Sequence, residues 1–208
     1  MFRIEQEAHG LLITNPRGYR VFTTMFFGGR RRHDAAVAAA AGARSGHRAL
    51  DIACGPGSLA VALADRVGPG GEVLGVDAAP EMVDYARAHC RRPNCRFEYG
   101  VAQALDLPDR SFDVVTCTFA MHHIPAGDRG AVIAEMWRVL RPGGTLLLAD
   151  LASVGLHGLL TRVLSRHVDA AEIDIRRYRE MLADSGFQNI DTALIRPSTR
   201  ILTAVKQG

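Results

Sequence analysis

The stretch ALDIACGPGSLA, residues 49–60, decides the fold, because it joins a short apolar run to a glycine-rich loop and then to a helical pattern. Gly55 and Gly57 begin a G-x-G-x-x-G/A pattern, which is typical of a dinucleotide-binding turn. Asp77 stands 20 positions after Gly57, about where a Rossmann fold keeps its ribose-binding carboxylate. Asp51, however, precedes the glycines and lies inside the strand-like run. The stretch therefore predicts a nucleotide-binding loop and leaves open which nucleotide it holds.

Short apolar runs alternate with helical patterns from residue 48 onward. This alternation predicts a mostly parallel, doubly wound sheet. The last two predicted strands, NIDTALIRPS and RILTAVKQ, are joined by too few residues for a parallel crossover, so a hairpin is expected. The predicted fold class is α/β, with a Rossmann-like, doubly wound, mostly parallel seven-stranded sheet and an antiparallel C-terminal hairpin strand. The five earlier strands are predicted at 48–53, 72–77, 95–101, 112–119 and 144–151.

A single domain is expected over residues 1–208, since this length supports one sizeable core. Residues 46–151 carry the alternation and form the predicted cofactor-binding core. Two apolar regions lie outside it: residues 1–45 are predicted to be an N-terminal helical cap, and residues 152–173 a substrate lid. Residues 174–208 supply the C-terminal helix and hairpin.

Composition sets broad limits on the kind of protein. A net charge of +3 is mildly basic and does not by itself imply nucleic acid. The four cysteines form no C-x-x-C pair, which favours reduced thiols in a cytoplasmic protein. No apolar run approaches the roughly 20 residues of a membrane helix, and the N-terminus lacks the apolar core of a signal peptide. We therefore expect a cytoplasmic protein without membrane insertion; no pattern sets its oligomeric state.

Four stretches, in this order, carry a family resemblance. They are LDIACGPG (50–57), GVDAAPEMV (75–83), GVAQALDLPDRSFDVVTCTFAMHHI (100–124) and RVLRPGGTLLLAD (138–150). They resemble, respectively, the first motif, the ribose motif, the adenine loop with the fourth strand, and the approach to the fifth strand of class I S-adenosylmethionine-dependent methyltransferases. Within that family the chain is similar to the small-molecule enzymes related to ubiquinone and menaquinone C-methyltransferases.

The resemblance covers residues 45–150 strongly and 174–207 more weakly. It implies S-adenosyl-L-methionine as cofactor, with the methionine carboxylate, rather than a pyrophosphate, at the glycine loop. It also implies that Asp51 orients the amino-acid end of the cofactor and that Asp77 accepts both ribose hydroxyls, as a carboxylate can. The cofactor-binding residues predicted in this way are Tyr19, Asp51, Ala53, Cys54, Gly55, Gly57, Asp77, Ala78, Met82, Ala102, Gln103, Thr118 and Phe119.

Two positions depart from the family pattern. The family often has an acid after the glycine of the adenine loop, where its side chain takes the adenine amino group, but Val101 stands there. Unless Gln103 or a backbone carbonyl replaces this acceptor, cofactor affinity is expected to be modest. Tyr19 resembles a tyrosine that many relatives place over the cofactor, although Arg20 follows it where the pattern commonly has Asp. Plain packing is the alternative role for Tyr19.

His122 and His123 are the candidate catalytic residues, since they follow the fourth strand at the carboxyl end of the sheet, where ligands bind. Adjacent histidines point in different directions, which argues against a two-histidine metal site. Either is a candidate general base, with His122 slightly favoured. The alternative, which their adjacency favours, is that one lines the cofactor pocket and the other is structural, so that catalysis rests on alignment. Asp150 is a single carboxylate, which is too few ligands for a metal ion, so no metal site is predicted.

These observations predict a methyltransferase that moves a methyl group to an O, N or C nucleophile of a small, partly apolar molecule. A module that binds the cofactor without methylating is the main alternative. An RNA methyltransferase is less favoured, because the N/D-P-P-Y/F motif of many nucleic-acid amino methyltransferases does not follow strand four. The basic run Arg30–Arg32 is expected to be a solvated helix face, with an anionic substrate group or RNA phosphate as the alternative.

Overall fold

A computed structural model describes residues 4–7, 10–27, 30–152 and 173–208. Its strands and helices follow the predicted alternation from residue 48 onward. In chain order they are β1 (Ile4–Glu7), β2 (Gly10–Ile13), α1 (Pro16–Phe27), α2 (Arg30–Ala40), β3 (Arg48–Ile52), α3 (Ser58–Val67), β4 (Glu72–Asp77), α4 (Pro80–His89), β5 (Cys95–Tyr99), β6 (Phe112–Thr118), α5 (Arg129–Val139), β7 (Leu140–Leu151), α6 (Arg179–Asp184), β8 (Phe187–Ile195) and β9 (Thr199–Lys206). Short 3-10 turns occupy Met121–His123, Ala126–Asp128 and Ile175–Tyr178.

Strands β3 to β9 form a seven-stranded sheet in the order β5-β4-β3-β6-β7-β9-β8. Neighbouring strands from β5 to β7 run parallel, whereas β9 runs antiparallel to both β7 and β8. The predicted fold class, including the antiparallel hairpin strand, is confirmed. The chain builds outward from β3 to β5 and then returns to place β6 beside β3. The strand order therefore reverses between β3 and β6, and ligands of open α/β sheets bind at such a switch point.

The central strands are buried on both faces by helices. In β3, Leu50 and Ile52 belong to an apolar layer shared with α5 and α6, whereas Ala49 belongs to the layer shared with α2, α3 and α4. Parallel strands that are covered on both faces read as continuous apolar runs. This burial explains why β3 was recognisable from sequence as a short apolar run, and why the carboxylate of Asp51 within it is exceptional.

The end of α5 is held by a buried lysine from the last strand. The Lys206 ammonium donates hydrogen bonds to the carbonyl oxygens of Trp137 (2.7 Å) and Leu140 (2.8 Å). It also lies 3.7 Å from the centroid of the Trp137 ring. The last carbonyls of a helix lack intrahelical partners and carry partial negative charge, so a cation stabilises them. The contact ties β9 to the point where α5 passes into β7.

Strand β7 begins at Leu140, earlier than the predicted start at residue 144. Helix α5 ends at Val139, one residue before the RPGG segment that is expected to stop it. The segment then joins the strand irregularly, because the pairing with β6 shifts register between Phe112 and Val114. The glycine-rich turn and the strand are therefore one continuous element.

The N-terminal region differs from the predicted helical cap. Helices α1 and α2 are present, but the hairpin β1–β2 precedes them, with Ile4 paired to Ile13 and Glu7 to Gly10. Strands of four residues are too short for period-two alternation to identify them. The predicted lid at 152–173 lies, apart from its two end residues, outside the described residues. Within the described ranges, no helix is both long enough and apolar enough to cross a membrane.

Candidate cofactor-binding site

A cleft lies at the switch point of the sheet, at the carboxyl ends of β3, β4 and β6. Its empty volume is about 720 Å³ when the space that is open to solvent is counted. Most of the predicted site residues line it: Tyr19, Ala53, Gly55, Asp77, Ala78, Met82, Ala102, Gln103, Thr118, Phe119 and His123. The other predicted residues, which do not line it, are Asp51, Cys54, Gly57 and His122. The sequence motifs therefore converge in space, although not every motif residue faces the same cavity.

One wall of the cleft was not predicted. Strand β2 contributes Leu11, Leu12 and Ile13 to the lining. The strand comes this close because Gly10 packs on the carbonyl oxygen of His123, where any Cβ would overlap that atom. Gly10 also has a φ of +125°, which L-residues rarely adopt. Further lining residues that the sequence did not single out are Gly100, Ala120 and Ile124.

Asp77, at the end of β4, holds the glycine loop in place. Its Oδ2 accepts a hydrogen bond from the backbone N–H of Gly55 (2.7 Å), and its Oδ1 accepts one from Ala79 (2.9 Å). Burial raises the pKa of Asp77, and the two backbone hydrogen bonds offset part of that increase. Each carboxylate oxygen has a further lone pair. Asp77 can therefore order the loop and still accept hydroxyl groups from a ligand in the cleft.

The two glycines of the loop face different surroundings. Gly55 has a φ of +54° and lines the cleft, and a Cβ there would lie 3.9 Å from the Tyr19 ring. Gly57 has a φ of +81°, and a Cβ there would come within 2.7 Å of the Phe97 ring. Gly57 is thus required by backbone conformation and core packing. Its predicted contact with the cofactor stays a prediction.

Cys54 is also turned into the protein core. A Cβ built at Gly75, on the neighbouring strand, would lie 2.9 Å from the Cys54 sulfur. Burial raises the pKa of the Cys54 thiol well above its ordinary value, so the group stays protonated. Any contribution of Cys54 to ligand binding is therefore left to its backbone.

Asp51 is a buried carboxylate two positions before the cleft residue Ala53. Its Oδ1 accepts a hydrogen bond from the Thr116 hydroxyl on β6 (2.7 Å). Its Oδ2 is buried and has no hydrogen-bond partner among the described residues. Burial raises the pKa of Asp51 to about 7, although the Thr116 hydrogen bond opposes this change. An unsatisfied buried carboxylate oxygen costs stability and fits a site that receives a cationic ligand group.

Backbone strain marks the same point of the sheet. Ala53 and Phe119 follow the adjacent strands β3 and β6, and both have a positive φ, +54° and +56° respectively. Left-handed conformations of residues with a Cβ cost about 1–3 kcal/mol each and are concentrated at functional sites. Both residues line the cleft. The strain therefore turns the two strand ends around the cavity.

The structure separates the two adjacent histidines. His122 Nδ1 lies 2.6 Å from Oδ2 of Asp150 near the end of β7, a pairing that the sequence did not predict. His123 instead lines the cleft, and its buried Nδ1 has no hydrogen-bond partner among the described residues. Burial, with a smaller contribution from His122, lowers the pKa of His123 to about 3, so this ring is neutral near pH 7. Across the part of the chain that the structure describes, no three His, Cys, Asp or Glu side chains converge as a metal site.

Tyr19 connects the cleft to the N-terminal helices. It contributes to the cleft wall, and its hydroxyl is hydrogen-bonded to the Arg30 side chain. Burial raises the pKa of Tyr19, and the nearby Arg30 charge opposes that increase. Tyr19 therefore does more than pack apolar surface, because it links α1 to the first residue of α2.

Comparison with known proteins agrees with this geometry. A family model described as a methyltransferase domain matches residues 49–144. The demethylmenaquinone methyltransferase of Deinococcus radiodurans is 43% identical over 137 residues, which cover 64% of this chain and 56% of that protein. The enzyme of the same name from Lactobacillus johnsonii is 34% identical over 173 residues, covering 71% of this chain and 70% of that protein. A crystal structure of a SAM-dependent methyltransferase from Aquifex aeolicus has a TM-score of 0.73 at 19% identity, covering 91% of this chain and 97% of that one.

The fold and the cleft at its switch point define a nucleotide-binding α/β protein. The extended match to the Lactobacillus protein identifies its family: the chain belongs to the S-adenosylmethionine-dependent methyltransferases. The Aquifex structure adds the likeness of fold. The chain spans little more than half the length of the Deinococcus protein.

Proposed function

We propose that this protein transfers a methyl group from S-adenosyl-L-methionine to an O, N or C nucleophile of a small, partly apolar molecule. The observation that carries the proposal is the pair of buried carboxylates beside the glycine loop. Asp77 already accepts the loop N–H of Gly55, and Asp51 has a buried oxygen with no partner among the described residues. A cofactor with a ribose at one end and an ammonium group at the other would engage both.

The residues present fit the cofactor on chemical grounds. The Asp51 oxygen would accept hydrogen bonds from the amino group, and Asp77 would accept them from the ribose hydroxyls. Gly55 leaves the backbone open to close approach on the cleft side. The backbone of Ala102 and Gln103, both in the lining, would hydrogen-bond the adenine. The remaining predicted cofactor-binding residues would shape the same cavity.

The substrate side of the proposal rests on the apolar wall of the cleft. Leu11, Leu12, Ile13, Ile124 and Phe119 all line the cavity, and few charged groups do. The two relatives described above are named as demethylmenaquinone methyltransferases. A quinol with an apolar ring is therefore the first substrate to test, ahead of nucleic acid.

When bound, the cofactor supplies a methyl group activated by a sulfonium, so the protein mainly has to align the acceptor with it. Proximity and orientation alone can lower a barrier by roughly 7–11 kcal/mol. His123 would help align the acceptor, because its neutral ring lines the cleft. His122 does not line the cleft itself, but its ring centroid lies 4.1 Å from that of His123, and it would take a proton from an acceptor hydroxyl that reaches it. Donation of its Nδ1–H to Asp150 leaves Nε2 as the proton acceptor and stabilises the imidazolium that forms.

The test is incubation of the purified protein with methyl-labelled S-adenosyl-L-methionine, first with demethylmenaquinol and then with a metabolite extract. Mass spectrometry should find a product heavier by one methyl group, together with S-adenosyl-L-homocysteine. At a cofactor concentration below saturation, Asp77→Ala should form much less product, whereas Asp84→Ala, which removes an exposed acid from α4, should form as much as wild type. Cofactor binding without product in any extract would favour the non-methylating alternative.

The proposal extends to location and partners. Cys54, Cys90, Cys95 and Cys117 are all free thiols, which supports a reducing, cytoplasmic location. The expected partner is a small molecule. Fractionation of cells, with the protein followed by immunoblot, would test the location, and recovery in the membrane fraction would contradict it.

A further inference from the structure

The basic run at the start of α2 divides into an inward and an outward part. Arg31 and Arg32 are exposed, as expected of a solvated helix face. The Arg30 side chain is only 14% exposed and is turned into the protein. A guanidinium is costly to bury unless it is paired. The groups that surround Arg30 therefore indicate the role of its buried charge.

Contacts with three side chains hold Arg30 in one orientation. Its Nε donates to Oδ2 of Asp34 (3.0 Å), one turn further along α2. Its guanidinium is hydrogen-bonded to Tyr19 and lies 5.8 Å from the centroid of the Phe119 ring. Both Tyr19 and Phe119 line the cleft. The guanidinium is thus fixed against the cleft wall by the two aromatic side chains.

A second group of contacts ties this arrangement to the sheet. Asp34 Oδ1 lies 3.2 Å from Nδ1 of His33, and the other ring nitrogen of His33 lies 2.8 Å from the Thr199 hydroxyl on β9. His33, Asp34 and Thr199 are nearly inaccessible to solvent. Arg30 is therefore preorganised, since its orientation is set by groups that are themselves held in place.

Arg30 also acts electrostatically on the buried carboxyl of Asp51. The Arg30 charge is among those that act on Asp51 and lower its pKa, against the dominant effect of burial. Asp51, whose Oδ2 has no partner among the described residues, stands two positions before the cleft residue Ala53. The Arg30 guanidinium contacts the cleft residues Tyr19 and Phe119, so an anion and a cation lie behind the cleft lining. A free α-amino acid group carries the complementary pair, an ammonium and a carboxylate.

We propose that Arg30 binds the α-carboxylate at the methionine end of the cofactor while Asp51 binds its ammonium; this assignment rests on the proposed function. A guanidinium carries five N–H donors in a planar fork that matches a carboxylate. It can therefore bind the carboxylate and keep its bonds to Asp34 and Tyr19. Through Tyr19, the same residue would join α1 and α2 to the bound cofactor.

The test compares three ligands by calorimetry. S-adenosyl-L-homocysteine carries both groups, its decarboxylated analogue keeps only the amine, and 5′-methylthioadenosine lacks both. The wild-type protein should bind the first at least tenfold more tightly than the second, since charge-assisted hydrogen bonds are the stronger ones. Arg30→Met should lower affinity for S-adenosyl-L-homocysteine at least tenfold, and should leave both other affinities unchanged. Arg31→Met is the matched control and should behave as wild type.

Each other outcome has a defined meaning. If Arg30→Met is folded and binds S-adenosyl-L-homocysteine as wild type does, or loses all three ligands equally, Arg30 does not bind the carboxylate. If Arg30→Met does not fold, Arg30→Lys keeps the charge without the planar fork. The Arg30→Lys variant should then lower the affinity for S-adenosyl-L-homocysteine alone. An affinity for that ligand equal to that of the wild-type protein would overturn the proposal. Failure of the wild-type protein to bind any of the three would instead contradict the proposed function.

Discussion

The Thr116 hydroxyl donates a 2.7 Å hydrogen bond to Oδ1 of Asp51 across the two strands where the sheet order reverses. The other Asp51 oxygen is buried and has no partner among the described residues. Burial raises the pKa of this carboxyl to about 7. In the free protein the group is therefore largely protonated below pH 7, whereas a ligand ammonium requires the carboxylate. Asp51 makes the proposed cofactor site sensitive to pH.

We expect affinity for S-adenosyl-L-homocysteine to increase between pH 6 and pH 8. At pH 6 binding should release a proton, because the ligand ammonium favours the ionised form of Asp51. Calorimetry at pH 6 in two buffers of different ionisation enthalpy measures this proton. Asp51→Asn should bind more weakly and release no proton. Release that persists in Asp51→Asn would assign the proton to another group.

The same carboxyl should destabilise the ligand-free protein at high pH. Its pKa in the folded protein, about 7, lies above the ordinary value of 3.8 for an aspartate. Between these values the folded state binds more protons than the unfolded state, so stability falls as pH rises through that window. Asp51→Asn should remove this part of the decline and raise the melting temperature at pH 8. Urea unfolding at pH 5 and pH 8 provides the comparison, and an equal loss in both proteins would contradict the expectation.

Substitutions at the two loop glycines should have different effects. Gly55→Val should abolish cofactor binding, because a branched side chain strains a φ of +54° and projects from the cleft lining. Gly57→Ala should mainly lower the free energy of unfolding, by roughly 1–3 kcal/mol, because its Cβ would overlap the Phe97 ring. Thermal unfolding and ligand titration of each variant separate the two effects. Normal binding by a folded Gly55→Val protein would remove that glycine from the site.

His122 and His123 should contribute differently to turnover, which can be measured once a substrate is known. His122→Ala should lower turnover by roughly 10²–10⁴-fold, the loss typical of removing a general base. His123→Ala should lower turnover modestly, because a residue whose pKa is about 3 stays neutral throughout the assay range. Asp150→Asn should resemble His122→Ala in direction. Equal, modest losses of turnover in all three variants would favour alignment alone.

Much of the fold was readable from the sequence because its signals are local. The run before Gly55 is apolar on both faces of β3, and the same pattern recurs in β4 and β6. Residues that directly follow these strands then had to meet at one edge of the sheet, which explains why Asp77 and Phe119 were placed near each other. Their convergence follows from parallel topology.

The parts that were missed depend on contacts between distant segments. Nothing near His122 in sequence indicates Asp150, because the two meet only through the parallel pairing of β6 and β7. Arg30 belongs to a run that is predicted to be a solvated helix face, whereas its contact with Phe119 depends on how α2 packs over the switch point. The hairpin that carries Leu11 was too short to show a period.

The most direct test of the central claim is a calorimetric titration of S-adenosyl-L-homocysteine into wild-type protein and Asp77→Ala at pH 8, with Asp84→Ala as control. Hydrogen bonds to a charged group contribute roughly 1.5–3 kcal/mol. The wild-type and control proteins should therefore bind one ligand per chain, and folded Asp77→Ala should bind about tenfold to a hundredfold more weakly. No binding by the folded wild-type protein, or equal affinity in Asp77→Ala, would contradict the assignment of this cleft to the cofactor.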